Sequence, residues 1–159
     1  MSIQIGDRIP DSTLMVMADG KPTPLTTAEL FGGKKVVLFS VPGAFTPTCS
    51  VKHLPSFVDH VDEILDKGVD TIACMAVNDV FVMDAWGKSA NADKISMLAD
   101  GNGEFAESLG LAMDASGFGM GERSQRFALI ADDGVVSGLF VEAPGEYRVS
   151  AAEHVLMSL

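Results

Sequence analysis

The chain has 159 residues, 47% hydrophobic and 21% charged, with a formal net charge of −11. This predicts one domain over residues 1–159 with an ample core. So acidic a chain is repelled by phosphate backbones and anionic headgroups, so neither nucleic acid nor a membrane is an expected partner. No apolar run reaches the ~18 residues of a membrane span. No basic segment followed by an apolar run opens the chain, so no signal peptide is read and the cytoplasm is the expected compartment.

In chain order, Ile3 to Ser12 reads as an extended segment. Leu14 to Met17 reads as a short strand, turned by Ala18-Asp19-Gly20-Lys21 into a second piece around Pro24 to Thr26. Thr27 to Leu30 suggests one helical turn, stopped by Gly32-Gly33. Val36 to Val41, apolar with β-branched and aromatic members, predicts a buried strand ended by Pro42-Gly43. Further on, Val51, Leu54, Phe57 or Val58, Val61, and Ile64 or Leu65 recur at helical spacing. They predict a core-facing stripe bent at Pro55 and closed by Lys67-Gly68.

Val69 to Val77 is the next strand, and strand–helix–strand implies a parallel unit. Asn78 and Asp79 offer a cap for a helix from Val80 to about Lys88. Ser89 to Asp93 is a polar loop and Ile95 to Leu98 a third strand of this series. Asp100-Gly101-Asn102-Gly103 is a turn, and Glu104 to Leu109 a short helix. Ser116 to Gly121 reads as an exposed, mobile Gly-rich loop, on which Phe118 and Met120 either line a substrate pocket or a partner surface or anchor the loop. Arg126 to Ala131 and Val135 to Val141 form a hairpin with a three- or four-residue connection. Ser150 caps a last helix through Leu159, with Val155, Leu156 and Leu159 inward. The sum is an α/β fold, a mixed central β-sheet flanked by helices.

Chemistry concentrates where the strand ending at Val41 meets its helix. Thr46 occupies the N-cap position and Pro47 the first helical one, so Cys49 is third. First-turn N–H groups lack intrahelical partners and the macrodipole is positive there, which favours a thiolate over a thiol. The second cysteine, Cys74, lies inside a strand. There is no Cys-x-x-Cys pair, and His53, His60 and His154 show no ligand spacing, so no metal site is read. A structural disulfide is not expected in a reducing compartment. His53 and Trp86 could suggest a base and a stacking platform, but they read rather as packing or capping residues; His53, four residues past Cys49, could touch its surroundings.

Pro42-Gly43-Ala44-Phe45-Thr46-Pro47-Thr48-Cys49-Ser50, followed by His53-Leu54-Pro55, resembles the active-site signature of the peroxiredoxins. The Pro-Gly-Ala-Phe-Thr-Pro run resembles that of the type II, peroxiredoxin-5-like subfamily. Ala73 to Asp79 and Gln125-Arg126-Phe127-Ala128 match it too, so the likeness covers essentially the whole chain. The resemblance implies a thioredoxin-like fold and a thiol that reduces hydrogen peroxide and alkyl hydroperoxides without a cofactor. It implies Cys49 as the peroxidatic cysteine and Thr46 as the hydroxyl that binds peroxide and thiolate. It further implies Pro42 as a shield against water and Arg126 as the cation beside the sulfur. Those types suit the chemistry. Displacement at oxygen needs an ionised nucleophile, and N–H, hydroxyl and guanidinium donors can hold the peroxide and receive the leaving charge.

The resemblance also implies glutaredoxin with glutathione, or thioredoxin, as reductant. It implies a homodimer packed near the active-site loop, with Phe45, Phe81 and Phe118 as candidate contact or pocket residues. No cysteine follows Cys74, so a C-terminal resolving thiol is ruled out. Cys74 is either resolving or structural, and the structural reading is favoured because its strand would have to unwind to bridge Cys49. Two other functions share the same thiol: a peroxide-sensing relay that oxidises a partner, and a non-enzymatic scaffold in which Cys49 is inert.

Overall fold

The computed structural model describes residues 2–159. A seven-stranded sheet runs in the order β2-β1-β5-β4-β3-β8-β9, with a separate two-stranded sheet of β6 and β7. Its centre is parallel: β3 (Lys35–Ser40), β4 (Thr71–Ala76) and β5 (Ser96–Ala99) lie side by side in one direction. The flanks are antiparallel, with β1 (Thr13–Ala18) and β2 (Lys21–Thr26) on one side and β8 (Phe127–Asp132) and β9 (Val135–Val141) on the other. Pro22 and Pro24 fall on β2, the edge, where a missing N–H is tolerated.

The period of two along β3 sorts the core. Val37, Phe39 and Val41 join one buried cluster and Val36 and Leu38 the other. The first cluster is covered by α2 (Leu54–Asp59), α3 (Val61–Asp66), α4 (Val80–Ser89) and α6 (Ala152–Leu156). The second takes Leu30 and Phe31 of α1 (Thr27–Phe31) and Phe105 and Ala106 of α5 (Glu104–Ser108). Thr26 and Glu29 form a reciprocal capping box on α1, and Asp79 caps α4 by accepting from the Val82 N–H at 2.8 Å.

Four expectations are corrected. The bend predicted at Pro55 takes another form: Cys49 to His53 is a π-helical turn in which the Leu54 N–H reaches the Cys49 carbonyl. Proline lacks an N–H and its ring crowds the carbonyl four residues back, so a widened turn just ahead of it relieves both. The helix then breaks at His60, between α2 and α3. The extra residue in that turn shifts the phase of the apolar stripe, so Val51 is 72% exposed while Leu54, Phe57, Val61 and Ile64 are buried.

The β8–β9 hairpin turns through two residues, Asp133 and Gly134, both at positive φ (49° and 78°). That is the turn whose twist matches the strands, and aspartate followed by glycine is what it requires. Ser150 does not cap α6, where Ala151 holds the cap position, and the helix ends at Leu156, short of Leu159; Val155 is buried, and Leu156 and Leu159 pack half-buried against the core as expected. Finally, the Gly-rich stretch is the tip of a short hairpin, β6 (Ala112–Asp114) with β7 (Glu122–Ser124), which strands of three residues do not announce in sequence.

Candidate active site

At the end of β3 the chain turns sharply. The Thr46 N–H and hydroxyl both reach the Gly43 carbonyl, at 3.4 and 2.7 Å, and the Ser50 N–H reaches the Thr46 carbonyl at 2.9 Å. Thr46 is therefore the backbone cap and Cys49 the third helical residue, as its sequence position requires. The hydroxyl itself faces back into the loop and donates there. Asn78, from the loop after β4, accepts the Ala44 N–H at 2.9 Å. A Cβ at Gly43 would be a tight fit, 3.1 Å from both Met120 Cε and Thr46 Cγ2, so either side chain would have to give by a few tenths of an ångström. Met120 arrives on the Gly-rich tip, which Arg123 fastens by donating to the Met120 and Val77 carbonyls at 2.9 and 3.0 Å.

Phe45 sits at the crest of this turn with φ of 64°, a region that costs a β-carbon-bearing residue ~1–2 kcal/mol. Its ring centroid is 6.4 Å from that of Trp86 on α4, and the Trp86 indole N–H donates to Ser50 Oγ at 3.1 Å. Trp86 thus braces the helix start. Pro42 and Thr46 are half-buried, and Cys49 is 0% exposed beneath the turn.

Arg126, just ahead of β8, meets the sulfur: its Nη2 donates to Cys49 Sγ at 3.1 Å. Its Nη1 lies 2.8 Å from His53 Nδ1. A guanidinium carries only donors, so that nitrogen must be the acceptor and the imidazole proton must sit on Nε2. Nε2 is 3.0 Å from the Ser150 carbonyl, which accepts it. Burial first, and then the Arg126 charge, lower the His53 pKa to about 3, against an opposing effect of the Ser150 carbonyl. The ring is neutral at any ordinary pH.

Behind it stands Glu142, whose Oε2 accepts from the Arg148 N–H (2.7 Å), the Ser150 N–H (2.8 Å) and the Ser150 hydroxyl (2.7 Å). Burial pushes this carboxyl up, but those hydrogen bonds, led by the Ser150 hydroxyl, more than offset it and hold it below the ordinary range. Tyr147 covers the same group, with the Arg126 guanidinium carbon 5.9 Å from its ring centre.

Cys74 lies in β4, beside Phe39 of β3 and Met97 of β5 in the ladder. Burial, and then proximity to Cys49, push its thiol well above the ordinary range, against a smaller pull from Arg126. Both cysteines are free. Phe45, Phe81 and Phe118 are 55%, 64% and 85% exposed. Among the described residues no group of three or more His, Cys, Asp or Glu side chains could hold a metal, and no helix is long and apolar enough to cross a membrane.

The structure therefore brings Arg126 onto Cys49, with Thr46 at the cap of the same helix and Pro42 two residues past the strand. Sequence reasoning read Asn78 only as a cap candidate, a place Asp79 takes, and left out Arg123; both secure the loop, and the Glu142–Ser150–His53 series behind Arg126 was missed as well. The one available signal was His53, a histidine four residues beyond the cysteine on the same helix.

A sequence pattern of the redoxin family matches residues 4–156. Among curated proteins, the chain is 51% identical over 165 residues to peroxiredoxin-2E-2, chloroplastic, of Oryza sativa subsp. japonica, covering 99% of this chain and 73% of that one. It is 46% identical over 159 residues to peroxiredoxin-2B of Arabidopsis thaliana, covering 99% and 98%. Among solved structures, reduced Prx3 of Vibrio vulnificus in complex with H2O2 superimposes with a TM-score of 0.95 at 52% identity, covering 98% of each chain.

Proposed function

The chain belongs to the redoxin family as a peroxiredoxin of thioredoxin-like fold, a thiol peroxidase, and on that premise we propose that Cys49 is its peroxidatic residue, served by Arg126, Thr46 and Pro42. The observation that carries this reading is the Arg126 Nη2–H donating to Sγ at 3.1 Å, at the third residue of a helix. A charge-assisted hydrogen bond of this kind favours the anion over the thiol.

The thiolate attacks the outer oxygen of the hydroperoxide. An S–O bond forms, the O–O bond breaks, and its electron pair leaves on the inner oxygen, which takes up a proton: Cys49–S⁻ + ROOH + H⁺ gives Cys49–SOH + ROH. Arg126 and the first-turn N–H groups face the charge that develops on the leaving oxygen. The Thr46 hydroxyl has committed its proton to Gly43, which leaves its lone pairs to accept the peroxide O–H. Pro42, half-buried at the head of the turn, has the part of shielding the sulfur from bulk water in this reading. Because Cys49 is fully buried, entry is confined to hydrogen peroxide and alkyl hydroperoxides that pass when the Ala44–Phe45 turn yields.

Recycling falls to an external thiol. Cys49–SOH + R′SH gives a mixed disulfide and water, and a second thiol releases Cys49–SH. The burial of Cys74 within the ladder supports this over an internal bridge, and glutaredoxin with glutathione, or thioredoxin, supplies the thiols. Two free cysteines suit a reducing compartment, the cytoplasm in this reading. The exposed Phe45, Phe81 and Phe118 suit an interface with a second copy of the chain, which sedimentation of the wild type against a Phe118→Ser variant tests.

The central test is mass spectrometry after one equivalent of hydrogen peroxide, in the presence of a sulfenic-acid trap. The adduct is expected on Cys49. An adduct elsewhere, or a Cys49–Cys74 disulfide as the sole product, would overturn the assignment or its recycling step respectively. Continued peroxide consumption with glutathione and glutaredoxin separates an enzyme from a relay that fires once.

A further inference from the structure

Resting on the roles given above to Cys49 and Arg126, we propose that His53 is a positioning residue for Arg126: a neutral imidazole that fixes where the guanidinium points while leaving its charge to the sulfur.

The Arg126 guanidinium is half-buried and carries donors only, and a donor turned into the site without an acceptor is costly. A carboxylate would satisfy it but would also neutralise it, dividing its field between two anions. An imidazole lone pair satisfies Nη1 without adding a negative charge, so Nη2 meets Sγ at 3.1 Å as a full cation.

That role requires one tautomer and one ring plane, and the surroundings supply both. The Ser150 carbonyl takes the Nε2 proton at 3.0 Å, which leaves Nδ1 free to accept. Ser150 is itself fixed by Glu142 Oε2 through its N–H and its hydroxyl. Phe39, Phe57 and Tyr147 pack around the ring at centroid distances of 5.0, 5.8 and 5.2 Å. The π-helical turn ends at His53, so Cys49 and its positioning residue lie at the two ends of one widened turn. A chain of hydrogen bonds thus runs from Glu142 through Ser150 and His53 to Arg126 and ends on the reacting sulfur.

The test is a double-mutant cycle read by rapid mixing of reduced protein with hydrogen peroxide. His53→Met keeps the length and bulk but offers no nitrogen lone pair; His53→Gln offers an amide oxygen to Arg126 and an amide N–H to Ser150. In His53→Met the rate constant for Cys49 oxidation is expected to fall about 10- to 100-fold, the cost of misplacing a charge by about an ångström. Alkylation of Cys49 by iodoacetamide at alkaline pH, which has no leaving oxygen to stabilise, should change far less. His53→Gln should recover most of the loss. In an Arg126→Gln background, adding His53→Met should change the oxidation rate by less than about twofold, because the effect travels through Arg126.

Wild-type oxidation kinetics in His53→Met, or an equal loss with and without Arg126, overturns the proposal and leaves the Cys49 assignment intact. Wild-type kinetics in Arg126→Gln overturns the role given to Arg126 and this inference with it, whereas a sulfenic adduct elsewhere than on Cys49 overturns the Cys49 assignment. Should His53→Met fail to fold, nitrogen NMR of the wild-type imidazole decides: a protonated Nε2 with a bare Nδ1 supports the role, and a protonated Nδ1 ends it.

Discussion

Cys49 and Cys74 are equally deep, both fully buried and both in one apolar cluster, yet their surroundings set them apart. Cys74 is held in the middle of the sheet, with backbone partners on both sides, and burial drives its thiol well up. Cys49 stands at a helix start, under a turn that carries a left-handed Phe45, with a guanidinium on its sulfur. What separates them is the guanidinium hydrogen bond on Cys49 and what surrounds each sulfur, a turn over Cys49 and a strand ladder on both sides of Cys74. Depth is common to the two thiols; the guanidinium hydrogen bond belongs to Cys49 alone.

The largest effect that tests this contrast is all-or-none. Cys49→Ser should consume no peroxide above the uncatalysed rate, whereas Cys74→Ser should keep near wild-type turnover with glutaredoxin and glutathione. Loss of turnover in Cys74→Ser with the first oxidation intact would make Cys74 a resolving thiol and erase the distinction. Next in size is Arg126. Removal of a donor aimed at developing charge costs about 10²-fold or more, so Arg126→Gln should slow oxidation of Cys49 by that order. Arg126→Lys should recover only part of it, since an ammonium is a compact charge that cannot span sulfur and imidazole as a planar fork does. Stopped-flow oxidation of reduced protein measures both.

The contrast was partly readable in the chain. The N-cap, the proline after it and the count to Cys49 all follow from local rules, and they put the sulfur at the third helical residue. The apolar run of β3 and the strand containing Cys74 were equally legible, because buried parallel strands are written as unbroken apolar stretches. Arg126 could not be paired with Cys49 from spacing, being 77 residues away, and entered only through the likeness of its segment to a known motif. The π-helical turn was hidden because proline marks that a helix is disturbed, not how. The order of Glu142, Ser150 and His53 was hidden for another reason: a serine before a helix looks like a cap, and only tertiary packing turns its carbonyl to a histidine and its hydroxyl to a glutamate.

His53 gives a third prediction, smaller and in stability rather than rate. Its folded pKa of about 3 lies below the unfolded value of 6.5, so the unfolded chain binds more protons between them. Stability from this source is full above pH 6.5 and is lost as pH falls toward 3, with a slope of at most about 1.4 kcal/mol per pH unit. Glu142 is held below the ordinary carboxylate value of 4.5, so its contribution is lost only at more acid pH. Between pH 6.5 and 5 the His53 loss therefore stands clear of that of Glu142. Urea unfolding at pH 7, 6 and 5 should show a falling stability in the wild type and a flatter profile in His53→Gln. Equal profiles would mean that the ring takes up a proton in the folded state, where it would face the same guanidinium that Cys49 depends on.

The smallest effect concerns the quiet thiol. Cys74 faces the apolar cluster from the centre of the sheet, and a hydroxyl there has no side-chain partner waiting for it, since Arg126 is already shared between Cys49 and His53. Cys74→Ser, though close in shape, should cost about 1–3 kcal/mol for a buried unsatisfied hydroxyl. Cys74→Ala leaves a small void and no polar group, and should cost about 1 kcal/mol. The expected order, alanine milder than serine, is that of a residue acting as a hydrophobe. Denaturant midpoints measured at equal slope give the order directly, and Cys49 oxidation rates in the same two proteins should match the wild type. If serine proved the milder change, position 74 would be a polar site, and the two thiols would be less different than their surroundings make them.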